Sequence, residues 1–263
     1  MLPSWLRPAP LIDAPSRDWL FALYEWAIPA FDPRFFFRNT PLVTPTDRDF
    51  PGHASGAEAM ANLIFEHVRR HAGLSHWPLS LLHPGQDPQA PQPLEQRPAV
   101  NPGDQRHTGA IPPPARLAYP TGRLANPEAL IGTLARALAD LLARTADGPP
   151  PGGPENWPQS TEVLAVFLGF GVIMANSAYE SPRVACGSCR VPGSERESDL
   201  SRYDLTYALA IFLALKQLPA SAATPHLKRP LRGYLRRALR EARRDPRLAR
   251  LQELTQRPAL PGS

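Results

Sequence analysis

The amino-acid sequence predicts an α+β fold that is predominantly helical, with about six helices around a small sheet. Apolar residues recur at helical spacing in six segments, and only two short segments are typical of strands. The longest apolar run, residues 163–175, is typical of a buried helix. It is shorter than the roughly 18–20 residues that a bilayer span needs, so we expect no membrane partner.

Length and composition predict the organisation of the chain. Its 263 residues, 43% hydrophobic and 20% charged, suit one large globular domain or a domain with an appendage. Prolines are densest at 84–114, where the polar composition cannot bury enough apolar surface to become ordered. We therefore predict an amino-terminal helical part at 1–83, a disordered loop at 84–114, a helical core at 115–250 and a tail at 251–263.

The segments at 17–30, 57–72, 126–144, 161–179, 199–218 and 225–244 are predicted to be helices. The third has the strongest start signal, with Asn126 as the cap, Pro127 in the first turn and an acid at Glu128. Residues 31–51 show no period, which predicts an extended loop whose phenylalanines 35–37 lie on the core. Strands are predicted at 77–82 and at 116–120.

The fourth predicted helix contains two glycines, Gly169 and Gly171. Glycine inside a helix lowers stability by about 1 kcal/mol relative to alanine. A close approach by a neighbouring element is the expected reason for both.

Positive charge is concentrated near the carboxyl terminus. The whole chain carries +5, whereas residues 226–250 contain ten Lys or Arg against two acids, so this segment carries +8 and the remainder −3. Such a segment can bind nucleic acid or another anionic partner. The candidate anion-binding residues are Arg232, Arg236, Arg240 and Arg243. The alternative is a solvated helix face whose arginines reflect the composition of the chain.

The two cysteines, Cys186 and Cys189, cannot form a disulfide framework, and the amino terminus lacks the pattern of a secretory signal. Both observations favour a cytoplasmic location. The Cys-Gly-Ser-Cys spacing is compatible with incidental loop cysteines, a redox pair, half of a zinc site or a papain-like nucleophile. We favour the first interpretation, because no partner pair follows and the segment is predicted to be a loop.

His67 and His71 stand four residues apart, a spacing that suits a metal site on a helix. The intervening arginines would oppose a cation, and no third ligand can be named. Histidines at the helix surface or helix end are therefore the favoured interpretation, and the sequence indicates no cofactor.

Four motifs occur in a fixed order: Arg116-Leu-Ala-Tyr-Pro, Asn126-Pro-Glu-Ala-Leu-Ile-Gly-Thr-Leu-Ala, Thr161-Glu-Val-Leu-Ala-Val-Phe-Leu-Gly-Phe-Gly-Val-Ile-Met-Ala-Asn176 and Tyr207-Ala-Leu-Ala. Over roughly residues 40–245, this arrangement resembles a family of uncharacterised bacterial proteins that look like zinc metallopeptidases. The resemblance implies a zincin-like scaffold in which a helix carries His-Glu-x-x-His, with two zinc-binding imidazoles and a glutamate that activates water.

At the positions that match this motif, the chemistry is different. The first histidine corresponds to Arg136, the glutamate to Ala137 and the second histidine to Asp140, while in the following acidic segment only Glu162 keeps an acid. Arginine offers no lone pair, alanine cannot move a proton, and one carboxylate does not hold zinc alone. The resemblance therefore implies a catalytically inactive protein, a pseudoenzyme with a binding or regulatory role and an unidentified protein partner.

Two alternatives remain for these positions. Arg136 and Asp140 are compatible with the wet side of an ordinary amphipathic helix. A salt bridge from Arg136 to Asp140 or to Glu162 would instead occupy the altered site. An active hydrolase would require a metal site elsewhere in the chain.

Overall fold

The described part of the chain, residues 11–83, 115–119, 121–180 and 199–254, is predominantly helical and contains a small sheet in this computed structural model. The predicted helical α+β class is therefore confirmed. The proline-rich segment 84–114, predicted to be disordered, and the Cys186–Cys189 pair lie outside the described residues. Nine α-helices lie within the described ranges: α1 (Ala14–Ala30), α2 (Pro33–Asn39), α3 (Ala57–His71), α4 (Pro127–Ala143), α5 (Trp157–Ala165), α6 (Gly171–Glu180), α7 (Arg202–Leu215), α8 (Arg229–Ala242) and α9 (Pro246–Glu253).

The prediction of about six helices was too low for three reasons. The predicted helix at 161–179 is divided into α5 and α6, α9 follows α8 and continues past the predicted boundary at 250, and α2 was missed. The extended loop predicted over 31–51 was wrong for α2. Asp32 accepts a hydrogen bond from the N–H of Arg34 (2.9 Å) and Pro33 occupies the first turn, which together start a helix.

The short helix α2 is held in place by its aromatic side chains and by a lysine. Phe36 is buried and stacks on Phe167, with ring centroids 4.3 Å apart and an interplanar angle of 6°. Lys216 at the end of α7 donates from Nζ to the carbonyl oxygens of Phe36 (2.6 Å) and Phe37 (2.7 Å). A cation near the carboxyl end of a helix interacts favourably with the helix dipole, so Lys216 stabilises the packing of α2 against the end of α7.

The sheet consists of two parallel strands, β1 (Leu79–Leu82) and β2 (Ala115–Ala118). Both predicted strands are confirmed, with shifted ends. At their carboxyl ends, His83 Nδ1 lies 2.8 Å from the hydroxyl of Tyr119, and His83 Nε2 lies 3.1 Å from the amide of Asn62. These hydrogen bonds tie both strands to α3.

The core is built around α5, α6 and α7. Every residue of α7 from position 205 to position 215 is buried, which places this helix inside the protein. Tyr24 of α1 donates a hydrogen bond from its hydroxyl to the carbonyl of Ala208 (3.0 Å). Because one apolar cluster contains residues from 12 to 81 and from 117 to 251, the two sides of segment 84–114 share a core.

The helical segment Pro154–Ala178 is long and apolar enough to cross a membrane by length and composition. Its most apolar 18-residue window is 94% buried inside the protein. A bent pair, Arg202–Leu215 with Ala220–His226, qualifies only if it is counted as one span. Core helices of globular proteins meet the same criteria, so burial against protein explains this segment.

A π-helical turn, Val166–Phe170, separates α5 from α6 and contains the first of the two glycines. Gly169 has φ +102°, and its carbonyl accepts a hydrogen bond from the N–H of Val43 (3.0 Å). A Cβ at Gly169 would collide with the carbonyl oxygen of Pro41, and one at Gly171 would lie 2.8 Å from Leu209 Cδ1. The predicted close approach is confirmed at both glycines.

We expect Gly169→Ala to lower the free energy of unfolding by at least about 2 kcal/mol. Alanine would have to adopt the left-handed backbone conformation of Gly169, and its Cβ would clash with the carbonyl oxygen of Pro41. The matched control is Gly233→Ala, inside α8, where a Cβ meets nothing within 4 Å. That substitution should raise stability by about 0.5–1 kcal/mol. Urea denaturation of both variants checks the pair, and equal effects would contradict the role of Gly169.

Candidate functional site

Arg136 of α4 lies between two carboxylates from other parts of the chain. Its Nη1 is 3.1 Å from Glu162 Oε1 of α5, and its Nη2 is 2.6 Å from Asp199 Oδ2, just before α7. We call these three residues the Arg136 cluster. The predicted salt bridge to Glu162 is confirmed, whereas the alternative pairing with Asp140 was wrong.

Glu162 is the buried centre of the Arg136 cluster. Its side chain is 0% exposed, and it accepts backbone N–H bonds from Asp199 (3.0 Å) and Leu200 (2.9 Å). Burial raises the pKa of Glu162 above its usual value of 4.5, while Arg136 and the two N–H groups oppose that shift. With both acids ionised the three side chains carry a net charge of −1, so a proton on Glu162 would make them neutral.

Asp140, at the position of the second histidine, has other partners. Its carboxylate accepts from Arg144 Nε (2.9 Å), from Arg144 Nη2 (3.1 Å) and from Trp157 Nε1 (2.6 Å). The guanidinium carbon of Arg144 lies 5.6 Å from the ring centroid of Trp157. Asp140 therefore joins α4 to the start of α5, and Ala137 is a half-buried residue packed against the core.

The donor set at these positions does not fit zinc. Arg136 has no lone pair, and both oxygens of Glu162 accept bonds from the protein. Among the described residues, no group of three or more His, Cys, Asp and Glu side chains is arranged to hold a metal ion. Arg136 and Asp140 of α4 both contact α5, through Glu162 and Trp157, and the residues there form ion pairs.

The two histidines of α3 hold a loop. His67 Nε2 lies 2.8 Å from the carbonyl oxygen of Pro51, and His71 Nε2 lies 2.6 Å from that of Asp49. Because the guanidinium of Arg70 can only donate to His67 Nδ1 (2.6 Å), Nε2 of His67 carries the proton and donates. The prediction of surface histidines was wrong for His67, which is buried and has no nitrogen available to a metal.

Asn176, in the Ala-Asn motif at the end of the long apolar helix, is a buried junction. Its amide nitrogen donates to Glu128 Oε1 (2.7 Å) and to the carbonyl of His226 (2.9 Å), and its oxygen accepts from the N–H of Lys228 (3.0 Å). It connects α6 to the start of α4 and to the segment before α8. Full hydrogen bonding makes a structural role sufficient to explain this residue.

The candidate anion-binding residues lie on α8 and just beyond its end. Arg236, Arg240 and Arg243 are exposed, and Arg232 is half-buried. Arg232 and Arg243 donate to the backbone carbonyls of Leu227 (2.8 Å) and of residue 218 (2.9 Å). The four predicted residues therefore lie along one helix and its carboxyl end, but two of them also bind the protein's own backbone.

Sequence reasoning missed Asp199 and the Trp157–Asp140 bond. Asp199 lies 63 positions from Arg136 and follows a stretch without helical period, so no local signal relates the two residues. The Ser201–Asp204 capping box does mark the start of α7 and would have drawn attention to the residues just before it.

No protein-family model matches the chain, and searches of the curated proteins and of the solved structures find no match either. The likeness to metallopeptidases thus depends on the sequence motifs and stays a prediction.

We expect Arg136→Met to lower the free energy of unfolding by about 3 kcal/mol, because it removes the guanidinium that faces the buried Glu162 carboxylate. The matched control, Arg144→Met, removes a partly exposed i,i+4 pair and should cost about 1 kcal/mol or less. Denaturant titration at neutral pH measures both. If Arg136→Met lowered the free energy of unfolding no more than Arg144→Met does, the ion pairs of the Arg136 cluster would contribute little to stability.

We expect the stability of the wild type relative to Glu162→Gln to fall as pH rises from 4.5 through the raised pKa of Glu162. The folded state holds the Glu162 proton more tightly than the unfolded state, so its contribution is present at low pH and is lost when the buried group ionises. Glutamine does not titrate and serves as the reference. Denaturation at a series of pH values gives the difference, and a difference that changes in the opposite direction would mean that Arg136 outweighs burial.

Proposed function

We propose that this protein is a catalytically inactive relative of zinc metallopeptidases, with a zincin-like scaffold and a binding or regulatory role. The observation that carries the proposal is the guanidinium of Arg136 bonded to the carboxylates of Glu162 and Asp199. It lies at the position where the resemblance implies a metal-binding imidazole.

The chemistry of this pocket supports inactivity. Zinc-dependent hydrolysis requires lone pairs for the metal and a general base for its water. Arginine stays protonated and repels a dication, Ala137 has no ionisable group, and the Asp140 carboxylate accepts bonds from Arg144 and Trp157. None of these groups can activate water, so we assign the protein no hydrolytic reaction and no cofactor.

The same contacts supply what a structural role needs. In the proposed scaffold, the guanidinium substitutes for a cation that would otherwise hold α4, α5 and the segment before α7 together. The core and surface are then retained for binding, with an unidentified protein as the partner and the cytoplasm as the location. An active hydrolase with a metal site outside the described residues is the outcome that would oppose this proposal.

Metal content and activity test inactivity. We expect the purified wild type, after incubation with zinc and desalting, to retain only sub-stoichiometric metal and to cleave no protein substrate in a chelator-sensitive way. The measurement is elemental analysis combined with a fluorogenic protease assay. Stoichiometric zinc with turnover that disappears on chelation would overturn the proposal.

Restoring the motif tests the scaffold separately. We expect the triple variant Arg136→His, Ala137→Glu, Asp140→His to bind zinc, because α4 would then present two imidazoles one turn apart, and position 136 lies beside Glu162 and Asp199. The control variant Arg136→Gln, Asp140→Gln removes the same charges without adding a ligand and should bind none. A folded triple variant without zinc affinity would refute the zincin-like scaffold, while the inactivity of the wild type would stand.

A further inference from the structure

Seven arginines, six of them exposed and one half-buried, lie along one side of α8 and its carboxyl end. We call them the arginine stripe: Arg229, Arg232, Arg236, Arg237, Arg240, Arg243 and Arg244. With 100° per residue, spacings of three and four keep these side chains on one side of the helix, and the 16 residues from first to last span about 22 Å. The leucines of α8 lie on the opposite side and are buried.

The arginine stripe has no neutralising acids among the described residues. No carboxylate oxygen in that part of the chain lies within 4.0 Å of a stripe guanidinium nitrogen. The one acid of α8, Glu241, instead accepts from the hydroxyl of Tyr207 (3.0 Å) and lies 3.6 Å from Arg17. By contrast, Arg247 and Arg250 of α9 both pair with carboxylates.

This distribution argues against composition as the only cause. An arginine-rich composition would explain many arginines, but it does not explain why those of α8 lack acids while those of α9 are paired. Like charges three or four residues apart destabilise a helix, so the stripe opposes folding when no anion is present. An anionic ligand would remove that repulsion.

Part of the stripe is already held in position. Arg232 donates to the backbone carbonyls of Leu227 (2.8 Å) and Pro225 (3.1 Å), and Arg243 donates to that of Leu218 (2.9 Å). A guanidinium has five N–H donors, so each of these arginines keeps donors for a ligand. Positioning before binding lowers the entropy lost when a ligand binds.

An exposed aromatic residue lies beside the stripe. Tyr203 of α7 is 41% exposed and is the one large hydrophobic side chain that is exposed in the described ranges. It packs on Tyr234 of α8, with ring centroids 4.9 Å apart at 43°. Tyr234 is fixed by a hydrogen bond to the carbonyl of Leu11 (3.3 Å), and Arg237 of the stripe follows it by one helical turn. The guanidinium carbon of Arg202 also lies 5.2 Å from the centroid of the Tyr203 ring, so a partly exposed aromatic pair borders a row of cations.

We propose that the arginine stripe and Tyr203 bind single-stranded nucleic acid. The phosphates would follow the arginines of α8, and a base would stack on Tyr203. Positive grooves combined with exposed aromatic rings are how proteins bind single strands without sequence preference. A membrane surface is disfavoured because the apolar residues of α8 are buried, and a duplex keeps its bases stacked away from Tyr203. This proposal does not depend on the proposed loss of peptidase activity.

Fluorescence anisotropy with a labelled single-stranded RNA of mixed sequence measures the binding of the full chain. We expect salt to weaken it, with a slope of log K against log salt of about −3, because each phosphate neutralised on a single strand contributes about −0.7 and four or five would be contacted. No binding at low salt would overturn the proposal.

A matched pair of double variants tests the surface against net charge. Arg236→Gln with Arg240→Gln removes two cations of the stripe, whereas Arg34→Gln with Arg48→Gln removes two exposed cations elsewhere. We expect the first pair to weaken binding on the order of tenfold and to make the salt slope shallower by about 1.4, and the second pair to have little effect. Equal losses would show that overall charge alone is responsible, against the proposal.

Substitutions of Tyr203 distinguish the binding of nucleic acid from the binding of other polyanions. Tyr203→Ala should weaken RNA binding about tenfold, Tyr203→Phe should retain it, and neither should alter binding to inorganic polyphosphate. Single-stranded RNA should also compete better than duplex of the same length or anionic phospholipid vesicles. An unchanged affinity in Tyr203→Ala, or tighter binding to duplex or vesicles, would overturn the proposal. Circular dichroism and thermal unfolding confirm that each variant is folded.

Discussion

The buried carboxylate of Glu162 is the constraint on which the surrounding structure depends. A carboxylate without solvent is tolerated only where cations and N–H groups surround it, and these come from α4 through Arg136 and from the backbone of residues 199 and 200. One side chain therefore fixes the positions of α4 and α5 and the point where the chain enters α7. Because α7 is buried all round, the position of its first turn affects the whole core.

The residues with the most suggestive chemistry share one property. Asp140, Glu162, His67 and Asn176 each use their polar atoms on partners within the protein. Groups occupied in this way stabilise the fold, and their occupation is what supports the proposal of an inactive scaffold. The arginines of the stripe differ, because six of the seven are exposed and none pairs with a carboxylate in the described part of the chain. Function is therefore expected at the surface, away from the positions that the peptidase motif indicates.

The sequence was most informative where the cause is local. Caps, helical periodicity and the two glycines predicted most helices and the close approach at Gly169, because each depends on a few neighbouring residues. It failed for α2, where three adjacent phenylalanines hid the period although Asp32 and Pro33 were present. At the candidate site, the salt bridge between Arg136 and Glu162 could be predicted as one of two possible pairings, because the resemblance assigned both residues to the same site. The contact between Arg136 and Asp199 could not be predicted, because two residues 63 positions apart leave no local pattern in the sequence.

The parallel pairing of β1 with β2 has a consequence for how the polypeptide is joined. The chain leaves β1 and returns in β2 after residues 83–114, and both sides of this connection contribute to the same apolar cluster. Cutting the backbone inside that connection would break one covalent link but none of the contacts described between α3 and the strands. The two sides of the connection are therefore held together by contacts in a shared apolar core and a shared sheet as well as by the covalent chain.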